Sequence, residues 1–169
     1  MDLITAEPVV RTNRIVLRAP IASDAPSIAR LANDYGVASM TARLPHPYGL
    51  ADAQQWIASL ADRDRATDLS LVIEKAGKVA GVIGLHPGQD GTELGYWLGR
   101  PFWGQGLATE AVIGLLAWVR DNWSLRYLRA GHFVANPASG AVLIKAGFLY
   151  TGEVIPLDCT ARAEAVAAR

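Results

Sequence analysis

Between Glu93 and Glu110 the chain reads Glu-Leu-Gly-Tyr-Trp-Leu-Gly-Arg-Pro-Phe-Trp-Gly-Gln-Gly-Leu-Ala-Thr-Glu, a β-rich run, a glycine turn and the start of an apolar helix. Gly104 and Gly106 carry no Cβ, so the turn can take positive φ and bring its amides close to a ligand. A helix opening at Leu107 presents unpaired N–H groups and the positive end of its dipole, both of which favour a phosphate or pyrophosphate. The chemistry of this spacing is therefore anion binding at the end of a strand. Two familiar phosphate loops do not fit. A Walker loop needs Gly-Lys-Ser/Thr, and here Gly106 is followed by Leu107-Ala108. A dinucleotide fingerprint wants Gly-x-Gly-x-x-Gly in an early β-α-β unit with an acid about 20 residues further on. This turn comes late, after a run of strands.

The elements around the turn follow from period and punctuation. Ile15 to Arg18 is a short strand ended by Ala19-Pro20. Ser23 as cap, Asp24 in the first turn and Ile28, Leu31, Ala32 and Tyr35 at helical spacing predict an amphipathic helix. Asp52 with Gln55 reads as a capping box ahead of Ala53, Trp56, Ile57 and Leu60, which predicts a second helix. From Leu69 the period changes to two. Leu69 to Glu74 and Lys78 to Leu85 form a hairpin about Ala76-Gly77, His86 to Gly91 turns, and Thr92 to Gly99 completes a meander. Leu107 to Val119 is a helix apolar nearly all round, expected to be buried on the sheet. A strand at Tyr127 to Val134, a helix at Pro137 to Lys145 capped by Gly147, and a strand at Phe148 to Ile155 follow. The order β-α-α-β-β-β-α-β-α-β is an α+β layout whose fourth strand feeds the glycine turn.

Composition narrows the function classes. The 169 residues suit one domain, 1–169, able to bury a core without metal or disulfide. The 16 basic and 16 acidic side chains cancel, so no nucleic-acid or anionic membrane partner is expected. The single cysteine, Cys159, excludes an internal disulfide, and His46, His86 and His132 show no metal-ligand spacing, so no metal is expected. The start, with Asp2 and Glu7, lacks the apolar core of a leader, and no window reaches the roughly 18 apolar residues of a span. A soluble cytoplasmic protein, monomer or homodimer, is expected.

The segment Trp103-Gly104-Gln105-Gly106-Leu107-Ala108, followed by Thr109-Glu110-Ala111, resembles the acetyl-CoA signature Arg/Gln-x-x-Gly-x-Gly/Ala of the GNAT superfamily, in its Rim-type branch of ribosomal-protein N-terminal acetyltransferases. Trp103 at the first position departs from that signature and removes one side-chain contact. Asn136-Pro137-Ala138-Ser139 with Lys145-Ala146-Gly147-Phe148 resembles a later Asn-x-x-Ser…Lys-x-Gly-Phe block. The loop from Arg43 to Tyr48 and Trp56-Ile57 are similar to the same branch. The resemblance implies an acyl-CoA N-acyltransferase fold, α+β in three layers, with a mixed sheet of six to seven strands and about four helices. It implies acetyl-CoA as cosubstrate, no metal, and transfer to a primary amine in a ternary complex. The acceptor would be a protein N-terminal α-amino group, with a small-molecule amine as the alternative and a non-catalytic acyl-CoA-binding module as the competing class. In such a fold the fourth strand splays from the fifth and pairs with pantetheine, which places Trp97, Leu98 and Gly99 on that arm. Phe102, Trp103, Gly104, Gln105, Gly106, Leu107, Ala108 and Thr109 would wrap the pyrophosphate, and Asn136 would bond or orient the arm.

Direct attack on a thioester sets three tasks: deprotonate the ammonium, polarise the carbonyl, protonate the thiolate. Glu93 is the candidate base, since it begins the fourth strand and shares a face with Gly95 and Trp97. Ser139 is the donor to the thiolate that the resemblance implies. Each has a structural alternative: Glu93 as a solvated strand residue, Ser139 and Asn136 as helix-capping groups, Glu110 as a dipole partner. Tyr96 could replace Ser139 as acid, although its face, opposite Glu93, favours core packing. His46 reads as a surface residue, His86 and His132 as unpartnered, and Cys159 as incidental. Trp56, Trp118 and Trp123 read as core or interface aromatics. Beyond Leu157 the chain is alanine-rich, with a short β-like pattern at Ala163 to Ala167 for the last strand.

Overall fold

A computed structural model describes residues 8–169, and the reading of a leaderless start rests in part on residues outside that range. Strands β1 (Val10–Arg11), β2 (Ile15–Arg18), β3 (Leu69–Lys75), β4 (Lys78–Gly88), β5 (Gly91–Leu98) and β6 (Arg129–Ala130) form one sheet in sequence order. All neighbours are antiparallel except β5 and β6, which are parallel. Helices α1 (Ala25–Ala32), α2 (Tyr35–Ala38) and α3 (Leu50–Ser59) precede β3, α4 (Leu107–Asn122) follows β5, and α5 (Pro137–Lys145) follows β6. A separate hairpin, β7 (Ile155–Cys159) with β8 (Glu164–Ala168), ends the chain. The expected α+β class with a mixed sheet is what forms.

Two cores explain the layers. On one face Leu17, Leu71, Ile73, Ile83, Leu85 and Leu94 meet Leu107, Ala111, Val112 and Leu115 of α4 and Leu143 of α5. On the other, Val72 and Val79 meet Ala25, Ile28 and Ala32 of α1 and Ala53 of α3, with Trp56 and Trp97 packed alongside. Strand alternation delivers successive side chains to these two faces, and each large apolar residue so buried contributes about 1.5–3 kcal/mol. α4 is less enclosed than its composition suggested. Ile113 is 49% exposed, because the sheet covers only one side of the helix.

Element ends differ from the sequence expectations by a few residues, and two expected strands differ by more. Asp52 is not the cap of α3 but its third residue; Gly49 caps, and its N–H donates to Asp52 Oδ2 at 2.7 Å. α1 begins at Ala25 rather than after Ser23, with the Ile21 N–H donating to Asp24 Oδ2 at 2.8 Å. The β4–β5 turn is shorter than His86 to Gly91: Gly88 pairs with Gly91, so His86 lies within β4 opposite Glu93. The strand expected at Tyr127 to Val134 shrinks to Arg129–Ala130. No strand forms at Phe148 to Val154. The Phe148 N–H closes α5 on Leu143 O at 3.0 Å, and Leu149 is 89% exposed. β-structure resumes at Ile155, where β8 offers a partner.

That terminal hairpin is tied in two directions. Backbone bonds of 2.9 Å link His132 N–H to Arg169 O, Arg169 N–H to His132 O and Val134 N–H to Ala167 O. Buried Cys159 points its Sγ at Thr41 O, 3.3 Å, and Arg162 Nε donates to Ser39 O at 3.0 Å. His132, read as unpartnered, is buried with Nδ1 2.8 Å from Phe133 O and Nε2 2.8 Å from the Tyr150 hydroxyl.

Arg18 anchors β2 to the α1 entry through a two-pronged contact with Asp24, 2.8 and 2.9 Å, and a 2.6 Å bond to Glu74. Burial alone would raise the Asp24 carboxyl, but the Arg18 guanidinium and the Ile21 N–H more than offset this and hold it below its ordinary value. A depressed carboxyl stabilises the fold above its unfolded pKa and loses that contribution as pH falls through the folded one. Asp24→Ala is expected to cost about 2–3 kcal/mol in urea unfolding at neutral pH. The gap from the unaltered protein should narrow in acid; a constant gap would rule out the ion pair as its source.

Candidate active site

The glycine turn forms as its residues require. Gly104 and Gly106 have φ of +71° and +75°, and a Cβ on Gly104 would meet nothing within 4 Å, so the turn faces open space. The first bond of α4 runs from Glu110 N–H to Gly106 O at 3.1 Å. Among the described residues no acceptor meets the N–H groups of Gly104, Gln105, Gly106, Leu107, Ala108 or Thr109. Six unpaired donors at a helix start form a cradle for an anion.

Side chains behind the cradle aim it. Arg14 Nη1 donates to Gln105 O at 2.8 Å, which turns that carbonyl away from the donors. Glu110 holds Arg14 in turn, accepting from its Nε at 2.7 Å and its N–H at 2.7 Å, and from Thr12 Oγ1 at 2.6 Å. Burial would raise the Glu110 carboxyl, but these donors keep it below its usual value. Glu110 is thus a clamp between the β1–β2 turn and α4, a role beyond its helix dipole. Lys75 bonds the Gln105 side chain, and Gln105 Nε2 donates to Pro101 O at 3.1 Å. None of these partners was legible, since Arg14 and Lys75 lie far from the motif in sequence.

Trp103, the departure from the signature, has a defined place. Its indole Nε1 donates to Leu98 O at 2.8 Å, and the Arg100 guanidinium stacks 4.8 Å over its ring. Arg100 makes two 2.7 Å bonds to Asp34, whose carboxyl it holds down to about 2. The end of β5 is thereby fixed to the start of α2. Phe102 packs against both cores.

The strand leading to the cradle is open on one side. β5 pairs with β6 only at Glu93 and Leu94, so from Gly95 to Leu98 its outer edge has no strand partner. Gly99 N–H bonds Ala80 O at 2.8 Å, towards β4. Because peptide groups alternate sides along a strand, those of Trp97 and Gly95 also turn to β4, and those of Tyr96 and Leu98 turn to the open edge. The Leu98 N–H therefore faces that edge, while its carbonyl accepts from the Trp103 indole. Trp97 and Gly99 could meet a ligand there only through side chain or Cα, and Tyr96 enters as a backbone partner the motif did not indicate.

Hydroxyl groups gather beside this edge. Tyr96 Oη lies 2.7 Å from Ser139 Oγ and donates to Ser139 O at 3.2 Å. Tyr96 is thus more than a packing residue; the two candidate acids form one pair. Burial pushes the Tyr96 phenol up, partly offset by Ser139, so it stays protonated. Asn136 caps α5, its Oδ1 accepting from Ser139 N–H at 3.3 Å, which seats Ser139 in the first turn and leaves the Asn136 amide NH2 for another partner. Glu93 is exposed on the opposite face, and its carboxylate lies over Gly88. The site joins a six-amide anion cradle, a vacant strand edge and a hydroxyl pair, which fits a ligand with a phosphate head and an amide-bearing arm. Among the described residues no cluster of His, Cys, Asp or Glu could hold a metal, and no helix is long and apolar enough to cross a membrane.

Comparison with known proteins agrees with this geometry. A family model described as an acetyltransferase (GNAT) domain matches residues 14–149. No curated protein matches. Among solved structures, the microcin C7 self-immunity acetyltransferase MccE in complex with acetyl-CoA and AMP is 23% identical, with TM-score 0.76 over 94% of this chain and 93% of its own. RimL, a ribosomal L7/L12 α-N-protein acetyltransferase in complex with coenzyme A, is 19% identical, with TM-score 0.78 over 96% and 97%. RimJ of Mycobacterium smegmatis, in complex with a CoA disulfide, is 20% identical, with TM-score 0.80 over 96% and 84%. At these identities the structural likeness speaks for the fold.

Proposed function

Since this chain belongs to the acetyltransferase (GNAT) domain family, we propose that it works as a single domain moving the acetyl group of acetyl-CoA to a primary amine, by direct attack in a ternary complex. The acceptor class we infer is a protein N-terminal α-amino group, by analogy with RimL, a ribosomal L7/L12 α-N-protein acetyltransferase. The observation that carries the reading is the vacant edge of β5 running from Gly95 into the amide cradle. A pyrophosphate suits the cradle, and an extended arm bearing amides suits the edge. A cytoplasmic setting suits a chain whose one cysteine is free.

Acetyl-CoA supplies an activated acyl group at the edge. Gly104 to Thr109 hold the pyrophosphate through their N–H groups, Phe102 and Trp103 shape the turn, and Asn136 orients the arm. Tyr96 offers both its peptide groups and Leu98 its N–H for pantetheine, the Leu98 carbonyl being held by the Trp103 indole, with Trp97 and Gly99 beside them. The Tyr96–Ser139 pair gives a proton to the departing sulfur. Glu93, exposed at the other face, passes the amine's proton to solvent.

Binding tests the cradle first. Acetyl-CoA and CoA are expected to raise the melting temperature, and NAD and ATP to leave it unchanged; no shift at saturating acetyl-CoA would sink the reading. A peptide and amine library read by mass spectrometry then identifies the acceptor. Modification of peptide α-amines is expected, and exclusive modification of small amines would replace the acceptor class. Glu93→Gln should slow acetylation about tenfold, and an unchanged rate would remove Glu93 from the proton path.

A further inference from the structure

On the sheet face that bears Glu93 lies a polar group of residues that the site above does not use. Asp68, immediately before β3, places Oδ1 2.7 Å from Nδ1 of His86, and the same carboxylate is 3.3 Å from Arg63 Nη1. His86 stands in β4 directly opposite Glu93 on β5. Its ring lies over Gly84, where an added Cβ would come within 2.7 Å of Nε2. Gly84 faces Gly95 across the two strands, and above Gly95 a Cβ would meet nothing within 4 Å. By the two-residue period Glu93, Gly95 and Trp97 share this face. The His86 ring and Leu69 O therefore cover Gly84, and Gly95 beside it is the bare floor between His86 and Trp97. His86 Nε2 has no protein partner among the described residues and reaches solvent. The Glu93 carboxylate, over Gly88, leans towards the β4–β5 turn and away from that floor.

We propose that His86, oriented by Asp68, accepts the proton of the attacking amine, which lies over Gly95 beside the His86 ring; this rests on the acetyltransferase reading above. A carboxylate at Nδ1 favours the tautomer with its proton there and leaves the Nε2 lone pair facing the floor. Imidazole suits proton transfer near neutral pH. The amine nitrogen gives its electron pair to the acetyl carbon as the C–S bond breaks. The proton shed by nitrogen goes to Nε2 of His86, and the sulfur takes one from the Tyr96–Ser139 pair. Gly95 and Tyr96 are neighbours on the open stretch of β5 with opposite facing, so base and acid stand on the two sides of the edge where the thioester would lie. Afterwards the imidazolium loses its proton to solvent, with Glu93 at the exit, and the Tyr96–Ser139 pair regains one from solvent. Charged groups near His86 include Asp68 and Arg63 from the segment before β3 and Glu93 from β5; Arg129 of β6 turns to Asp90 at 3.2 Å. Asp68 is a positioning residue.

His86→Gln is expected to lower kcat about 10- to 100-fold near neutral pH, to remove the acidic limb of the pH–rate profile and to leave the acetyl-CoA thermal shift unchanged. Asp68→Asn should lower kcat by about three- to tenfold at unchanged KM for acetyl-CoA. In the free protein, 15N shifts of the neutral ring are expected to show the proton on Nδ1. An unchanged rate and acidic limb in His86→Gln, or a neutral ring protonated on Nε2, overturns the proposal while the acetyltransferase reading stands. Absence of acetylation of any amine by the unaltered protein overturns both.

Discussion

Gly106→Glu is expected to weaken acetyl-CoA binding at least about 100-fold in calorimetry, with a far-UV spectrum that stays native. Gly106 caps α4 at φ +75°, a conformation that costs an L residue about 1–2 kcal/mol. Space is not the obstacle, because the nearest atom to an added Cβ is Arg14 Nη2 at 3.5 Å. The cost to binding comes from charge. A carboxylate at the cradle occupies or repels the N–H groups that await the pyrophosphate. Each hydrogen bond to a charged group is worth about 1.5–3 kcal/mol, so losing two amounts to about 3–6 kcal/mol, two or more decades in Kd. Gly106→Ala separates backbone strain from charge, and about a tenfold loss is expected for it. Normal binding by Gly106→Glu would mean that the anion sits elsewhere.

The paired substitution Tyr96→Phe with Ser139→Ala is expected to lower kcat about 100-fold while KM for acetyl-CoA changes by less than about threefold. Both hydroxyls meet at 2.7 Å, so either single variant leaves one donor in place and should lose much less than the pair. Burial raises the Tyr96 phenol above its usual value, which keeps the pair protonated at neutral pH and moves any loss of activity from its ionisation to strongly alkaline conditions. Single variants with additive losses would show two independent groups instead. An equal rise in KM would assign the pair to binding.

Much of the site was legible because it rests on local rules. Gly104 and Gly106 announce positive φ, Leu107 opens a helix with unpaired amides, and Asn136-Pro137 announces a capped helix start with Ser139 in its first turn. These depend on residues within a few positions of one another. The partners that aim the cradle do not. Arg14 reaches Gln105 and Glu110 across more than 90 residues, and Arg100 reaches Asp34 across 66. The C-terminal segment failed for a related reason. Phe148 to Val154 has β-forming residues, yet a strand needs a partner, and only from Ile155 does β8 supply one.

His86 and Asp68 show where the boundary falls. Pairing of Lys75 with Lys78 about Ala76-Gly77, continued without interruption, would set His86 opposite Thr67. A bulge between Ile73 and Glu74 shifts the register by one, so that Leu69 pairs with Leu85 and Asp68 comes beside His86. Composition, helix period and glycine placement were enough to specify the α+β layout and the glycine turn, since each is written in short-range sterics and hydrogen bonding, whereas the family came from the resemblance of Trp103 to Ala108 and Asn136 to Phe148 to its signatures. Strand register, the vacant edge of β5 and the meeting of Tyr96 with Ser139 and of Asp68 with His86 were decided by tertiary packing. Those pairings are set by how two packed cores close on the sheet, a balance summed over the whole chain and carried by no single segment.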